Sequence, residues 1–335
     1  MKALLLATAL LAPALFAATA SAAVTPPSPS GPAPVGFTRT TLTDHQRTEP
    51  FAGDTGARRV PLRVWYPAAA RSAAPAAVLT PAEQAELAGG VGFPASALDG
   101  LGSAATAAAP AAPGRHPVLL LSPGLNETTA LQSAHAADLA SHGYVVVGVD
   151  IVGETYGLDL GDGQTTPVHI TEASAETIAL RTRDLRFVLG KLETVRGVGR
   201  IDRDRVGAFG HSNGGATAAD LMLADRRIRA GVNMDGGIYG PALERGLDRP
   251  FGIMMGDALA GAYFHVRVFR SNLRGPRPLV DYPGVGHKAF ADNVWLVPQL
   301  GLDPVEAEVG TVDAATTVRL QNAWLKRFFD RQIKG

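Results

Sequence analysis

Residues 206–215 read VGAFGHSNGG. Within them, Gly210-His211-Ser212-Asn213-Gly214 is a G-x-S-x-G motif, and its flanks give it a place in a fold. Val206, Ala208 and Phe209 form a short apolar run, as a buried strand does. GATAADLMLA (215–224) then has the small and apolar residues of a helix packed on a sheet. A strand, a tight turn and a helix place Ser212 on a strained corner, its hydroxyl exposed at the sheet edge. Gly210 and Gly214 let strand and helix close on each other; a side chain at either would block that approach.

A serine hydroxyl is a weak nucleophile. It needs a base to take its proton, and the base needs an acid to orient it. On this kind of turn the chain order is Ser, acid, His. Of eight histidines, only His265 and His287 follow Ser212. His287 lies in YPGVGHKAFAD (282–292), a Gly-containing loop just after the last predicted strand, where a base belongs. His265 lies in AYFHVRVF (262–269), an apolar segment with no loop signal, and reads as a packed residue. Two carboxylates compete for the third role. Asp235 ends AGVNMD (230–235) and Asp257 ends PFGIMMGD (250–257), both at strand ends on the face that carries Ser212. The tetrahedral intermediate of acyl transfer also needs N–H donors, and the residue after the nucleophile, Asn213, supplies one.

Outward from the motif, strands alternate with helices. PVLLLSPG (117–124) and YVVVGVDI (144–151) are continuous apolar runs, as expected of strands covered on both faces. Helices are predicted over 130–141, about 173–193 and about 313–332. Alternation of this kind implies an α/β fold with a mostly parallel central sheet and helices on both faces. Phe37–Thr48 and Arg58–Tyr66 alternate polar with apolar residues around a turn-rich GDTG and read as antiparallel N-terminal strands. One catalytic domain is expected over 37–335. Within it, 68–115 is Ala- and Pro-rich and reads as a surface insertion, with partial cover of a pocket as the alternative. Thr80-Pro81-Ala82-Glu83 starts a short helix over 81–88 inside it.

Residues 1–22 have the form of a signal peptide: Lys2, an apolar stretch too short to span a bilayer, and the A-x-A site at Ala20-Ser21-Ala22. Residues 23–36 are rich in Pro, Ser and Ala and read as a disordered leader. The expectation is a protein secreted beyond the cytoplasmic membrane, with no stable membrane insertion. There is no cysteine, so the core is stable without disulfides and no lipid-modified cysteine follows cleavage. Lys and Arg total 31, as do Asp and Glu. That balance gives no electrostatic reason to expect nucleic acid. No zinc, phosphate-loop or dinucleotide motif appears, and no cofactor or metal is expected. Glu154, Asp159 and Asp162 share a Gly-rich loop, but their spacing matches no calcium loop.

GHSNGG (210–215), SPGLNE (122–127), VNMDGG (232–237) and GVGHKAFAD (284–292) together resemble the extracellular platelet-activating-factor acetylhydrolase family and its secreted bacterial lipase relatives. RVPLRVWYPA (59–68) and RTRDLRFVLGKL (181–192) extend the resemblance over most of the chain from about residue 58. It implies the α/β-hydrolase fold and the set Ser212, Asp235 and His287, since the family's acid follows the strand after the nucleophile. Asp235 does so, 23 residues on. It also implies Leu125 as the second oxyanion donor beside Asn213. Two departures stand out: Pro123-Gly124 replaces the family's His-Gly, and Asn126 stands where the family has Gly. Pro-Gly at this loop also occurs in cutinase-like polyesterases. The expected function is a secreted serine hydrolase that cleaves lipid-like or short-acyl carboxylic esters through an acyl-enzyme. Acyl transfer and polyester hydrolysis are alternatives on the same residues. A non-catalytic binding protein of this fold would lack a triad member, and none is missing here.

Overall fold

The computed structural model describes residues 24–335 apart from 52–55, 72–73, 92, 95, 100, 162, 164 and 258–259. The expected signal peptide lies outside the described residues.

Alternating polar and apolar residues open the chain as a hairpin. β1 (Val35–Thr48) runs antiparallel to β2 (Ala57–Pro67), with Phe37 opposite Trp65. α1 (Pro81–Val91) and the two-residue β3 (Thr106–Ala107) follow. The α/β alternation then runs β4 (Arg115–Ser122), α2 (Ser133–Ser141), β5 (Val145–Val149), α3 (Ala175–Lys191), β6 (Arg200–His211) and α4 (Asn213–Ala224). It continues through β7 (Ile228–Met234), α5 (Pro241–Arg245), β8 (Phe251–Met255), α6 (Ala260–Asn272), β9 (Leu279–Asp281), α7 (Asn293–Gln299) and α8 (Ala314–Phe329).

Among the described residues the strands form one sheet in the order β3-β1-β2-β5-β4-β6-β7-β8-β9. From β5 to β9 every pairing is parallel, and β2 joins β5 antiparallel. This is the expected mostly parallel sheet with an antiparallel N-terminal extension. β5, β7 and β8 are almost wholly buried because helices cover both faces. One apolar layer gathers Trp65, Leu119, Leu121, Phe209 and Phe329; the other gathers Leu62, Leu120, Val147, Val188 and Phe251. The pairings Ser122↔Gly210 and Gly210↔Asn233 bring the ends of β4, β6 and β7 to one edge.

Two expectations change. Residues 24–34 do not behave as a free leader. The N–H groups of Ser30, Gly31 and Ala33 donate to the Asp138 carboxylate, the Ser141 hydroxyl and the Ser141 carbonyl at the end of α2. A helix C-terminus has carbonyls without helical partners, and the extended leader supplies donors to that end. The segment 68–115 is not a surface insertion. Val78, Leu79, Leu87, Leu98 and Leu101 are buried in the same layer as Leu119 and Phe209. Its alanines read as low complexity in sequence but serve as small core residues, with Ala76, Ala88 and Ala105 almost fully buried. The helix start is as expected: Thr80 and Glu83 exchange side-chain-to-backbone bonds.

That segment is fastened to the sheet by charge. Arg63 of β2 is buried, donates to the Val78 carbonyl at 2.9 Å, pairs with Glu83 at 2.7 Å and also pairs with Asp150. Replacing Arg63 with Met keeps the bulk but leaves two buried carboxylates without this cation. A loss of about 3–5 kcal/mol is expected in urea unfolding. A loss below about 1 kcal/mol would show that the ion pairs do not hold the segment.

Candidate active site

The turn after β6 is as tight as its glycines suggest. A Cβ on Gly210 would stand 2.3 Å from the Ser122 carbonyl oxygen, and one on Gly214 only 1.9 Å from it. Between them Ser212 takes φ 52° and ψ −121°, a left-handed conformation that a non-glycine residue adopts only when its surroundings impose it. Its N–H is held by the Met234 carbonyl at 2.9 Å, which ties the corner to β7.

The structure brings Ser212, His287 and Asp235 into one hydrogen-bonded chain. His287 opens a short 3₁₀ turn, His287–Phe290, after β9. Its Nδ1 lies 2.7 Å from Asp235 Oδ2 and its Nε2 lies 3.2 Å from Ser212 Oγ. A carboxylate accepts, so Nδ1 carries the proton and Nε2 is left to accept from the serine hydroxyl. Asp235 is fully buried at the end of β7 with φ 54°. Its Oδ1 accepts the Gly256 N–H at 2.7 Å, and its own N–H donates to the Met254 carbonyl at 2.8 Å. Asp257 is elsewhere. It is exposed, its carboxylate accepts the Gly284 N–H, and its N–H donates to Val285. It braces the loop that leads to His287, and among the described hydrogen bonds none joins it to that imidazole. His265 sits half-buried on α6, edge-on to Tyr239 at 5.3 Å between ring centroids.

The backbone N–H groups of Asn213 and Leu125 have no intramolecular partner among the described hydrogen bonds. Asn213 is the first residue of α4, so its N–H has no acceptor within the helix. Leu125 lies on the loop after β4, whose carbonyls are drawn the other way. The buried Arg181 of α3 donates to the carbonyls of Pro123 at 2.6 Å and Gly124 at 2.9 Å, and is itself held by Glu154. Asn126 takes φ 59°, a conformation that asparagine tolerates better than most residues. Its amide donates to the carbonyls of Glu154 and Ile170, both at 2.9 Å.

Sequence reasoning missed Arg181. It lies between Ile178, Leu185 and Val188 on the inward stripe of α3, and a charge on an apolar stripe was the available signal. Of the acidic loop residues, Glu154 pairs with Arg181, and Asp159 Oδ1 accepts the N–H groups of Gly161 and Gly163. Asp162 lies outside the described residues.

Comparison with known proteins follows the same lines. The family described as platelet-activating factor acetylhydrolase, isoform II, matches residues 18–153, which include the Leu125 loop and stop short of Ser212. A probable 1-alkyl-2-acetylglycerophosphocholine esterase of Arthroderma benhamiae is 27% identical over 246 residues, 65% of this chain and 61% of that protein. The platelet-activating factor acetylhydrolase of Bos taurus is 26% identical over 159 residues, 37% of this chain and 36% of its own length. These alignments thus span less than two thirds of the curated relatives. A solved ferulic acid esterase from Streptomyces cinnamoneus superposes with a TM-score of 0.81 at 30% identity, over 94% of both chains. The chain belongs to the α/β-hydrolase superfamily, and within it is similar to the platelet-activating-factor acetylhydrolases and to this esterase.

The loop that follows Asp235 is anchored from α4. Asp220 accepts the Ala242 N–H of α5 at 2.9 Å. Burial outweighs that bond and raises the Asp220 carboxyl to about 6. A raised carboxyl favours the folded state only while protonated. Stability is therefore highest below the unfolded value of 3.8, falls as pH rises through about 6, and stays reduced above it. Asp220→Asn keeps the acceptor and removes the charge. It is expected to raise stability near pH 7.5 by up to about 3 kcal/mol and to change little near pH 4. Thermal unfolding at the two pH values checks this; an equal gain at both would remove the titration from the explanation.

Proposed function

We propose that the chain is an exported carboxylic ester hydrolase with Ser212 as nucleophile, His287 as general base and Asp235 as the acid that orients it. The observation that carries the proposal is the continuous chain from Ser212 Oγ to His287 at 3.2 Å and from His287 to Asp235 at 2.7 Å. Ser212 Oγ attacks the ester carbonyl carbon while its proton passes to His287 Nε2. The carbonyl oxygen becomes an oxyanion and accepts from the N–H groups of Leu125 and Asn213. Collapse of the intermediate breaks the bond to the alcohol oxygen, which leaves with the proton from Nε2. Water then attacks the acyl-enzyme by the same path and restores the free serine. Export rests on the form of the first 22 residues.

The substrate class is a lipid-like or short-acyl ester. It is supported by the names of the relatives, one of which is called an esterase of a 2-acetyl glycerophosphocholine. A second reading, an ester of a phenolic acid, is favoured by the neighbour that covers 94% of the chain. Turnover of nitrophenyl esters from acetyl to palmitoyl, beside methyl ferulate, separates the two. Ser212→Ala is expected to lose about 10⁴-fold or more in kcat, and Asp235→Asn roughly 10³–10⁴-fold. Asp257→Asn should cost about tenfold or less, because it touches the base only through its loop. A folded Ser212→Ala that keeps more than about a tenth of the turnover would remove Ser212 from the role.

A further inference from the structure

Directly under the base lies a second imidazole that the mechanism does not use. His211, the residue before Ser212, is 1% exposed, and its ring centroid is 4.5 Å from that of His287. Its Nδ1 is 2.9 Å from Glu127 Oε2, and its Nε2 is 2.9 Å from the carbonyl oxygen of His287. A carbonyl oxygen can only accept, so Nε2 carries a proton. Glu127 Oε2 accepts the Gly124 N–H at 3.1 Å, and its carboxyl, held at about 2, can only accept at neutral pH, so Nδ1 carries a proton as well. Both ring nitrogens donate, and the ring is an imidazolium paired with a buried carboxylate. The packing leaves no slack: a Cβ on Gly124 would stand 2.5 Å from Glu127 Oε2 and 3.1 Å from His211 Nδ1.

We propose that the His211–Glu127 ion pair is a positioning dyad that fixes the base loop and the oxyanion loop to each other through the elbow strand. Glu127 holds the N–H of Gly124, the residue before Leu125. His211 holds the carbonyl of His287. One buried charge pair thereby sets the base, the nucleophile's strand and one oxyanion donor in a common frame. The proposal rests on the reading of Ser212 and His287 given above.

The dyad has a pH signature. Burial disfavours the charge on His211, but the charge and hydrogen bond of Glu127, with Asp235 and the His287 carbonyl behind them, raise its pKa above the ordinary value. Burial likewise opposes ionisation of Glu127. His211, then Lys288 and His287, more than reverse that and hold it at about 2. Both shifts favour the charged pair, a doubly protonated His211 facing an ionised Glu127. Once pH rises through its raised value it has one N–H for two acceptors, and either Glu127 or the His287 carbonyl is released.

Two measurements test this on the full chain. In the first, side-chain nitrogen NMR of the Ser212→Ala protein at neutral pH reads the ring directly, with His211 assigned by the signal lost in His211→Gln. Two N–H groups are expected; a ring with one would overturn the proposal, whatever the protein catalyses. In the second, kcat and KM are followed against pH for wild type and Glu127→Gln. Without its counter-charge the buried His211 loses its second proton at lower pH. The alkaline limb of kcat should therefore move down by about one pH unit or more. At its optimum kcat should fall on the order of 10- to 100-fold while KM stays within about threefold. Superimposable profiles would overturn the positioning role. A wild-type protein that turns over no ester would instead overturn the reading of Ser212, and the NMR result would still decide the ion pair.

Discussion

The carbonyl of Ser122 fixes the spacing on which the site depends. It lies within 1.9–2.3 Å of where side chains on Gly214 and Gly210 would begin, so β4, β6 and α4 meet with no intervening atoms. That closeness forces the backbone through φ 52° at Ser212 and presents its hydroxyl at the edge. The same register, Ser122 opposite Gly210, sets the end of β4 and the loop that follows it alongside the turn of Ser212, and Gly210 opposite Asn233 brings the end of β7 alongside. Asp235 is then two residues from the junction. Strain at the serine is held by hydrogen bonds on neighbouring strands, the pattern expected where backbone strain serves a site.

Around that junction the loops are held by buried charge. Arg181 with Glu154 clamps the carbonyls before Leu125, Arg63 with Glu83 and Asp150 fastens the Ala-rich segment, and Arg58 with Glu49 and Asp184 ties β2 to α3. Pairs of this kind contribute little net stability compared with apolar residues of the same shape, because both charges lose their water. What they supply is direction. A guanidinium satisfied on several sides accepts one arrangement of its partners, and loops without a regular ladder need that. The loops around this junction are positioned by charge, and the sheet beneath them by apolar packing.

The sheet was readable in the sequence because its central strands are unbroken apolar runs bounded by Gly and Asp. The turn at 210–214 was readable because only glycine permits its contacts. The order of Ser212, Asp235 and His287 along the chain pointed to three residues that stand in one hydrogen-bonded chain, although spacing alone left Asp257 in contention. That ambiguity lay in the loops: both aspartates end strands at the same edge, and only the folded path of residues 282–287 decides which one meets the imidazole. The Ala-rich segment was misread because composition separates polar from apolar better than it separates buried alanine from exposed alanine. The leader was misread because its partners, Asp138 and Ser141, are more than a hundred residues away. Arg181 and His211 escaped for one reason: a charge inside a packed layer has meaning only once its partner is seen.

The central claim is that this fold makes Ser212 nucleophilic. Incubation of the purified protein with a fluorophosphonate, followed by peptide mass spectrometry, tests it without a choice of substrate. The account predicts one adduct per chain, on Ser212, that fails to form once the protein is unfolded. An adduct on another residue, or none on the folded protein, would contradict it.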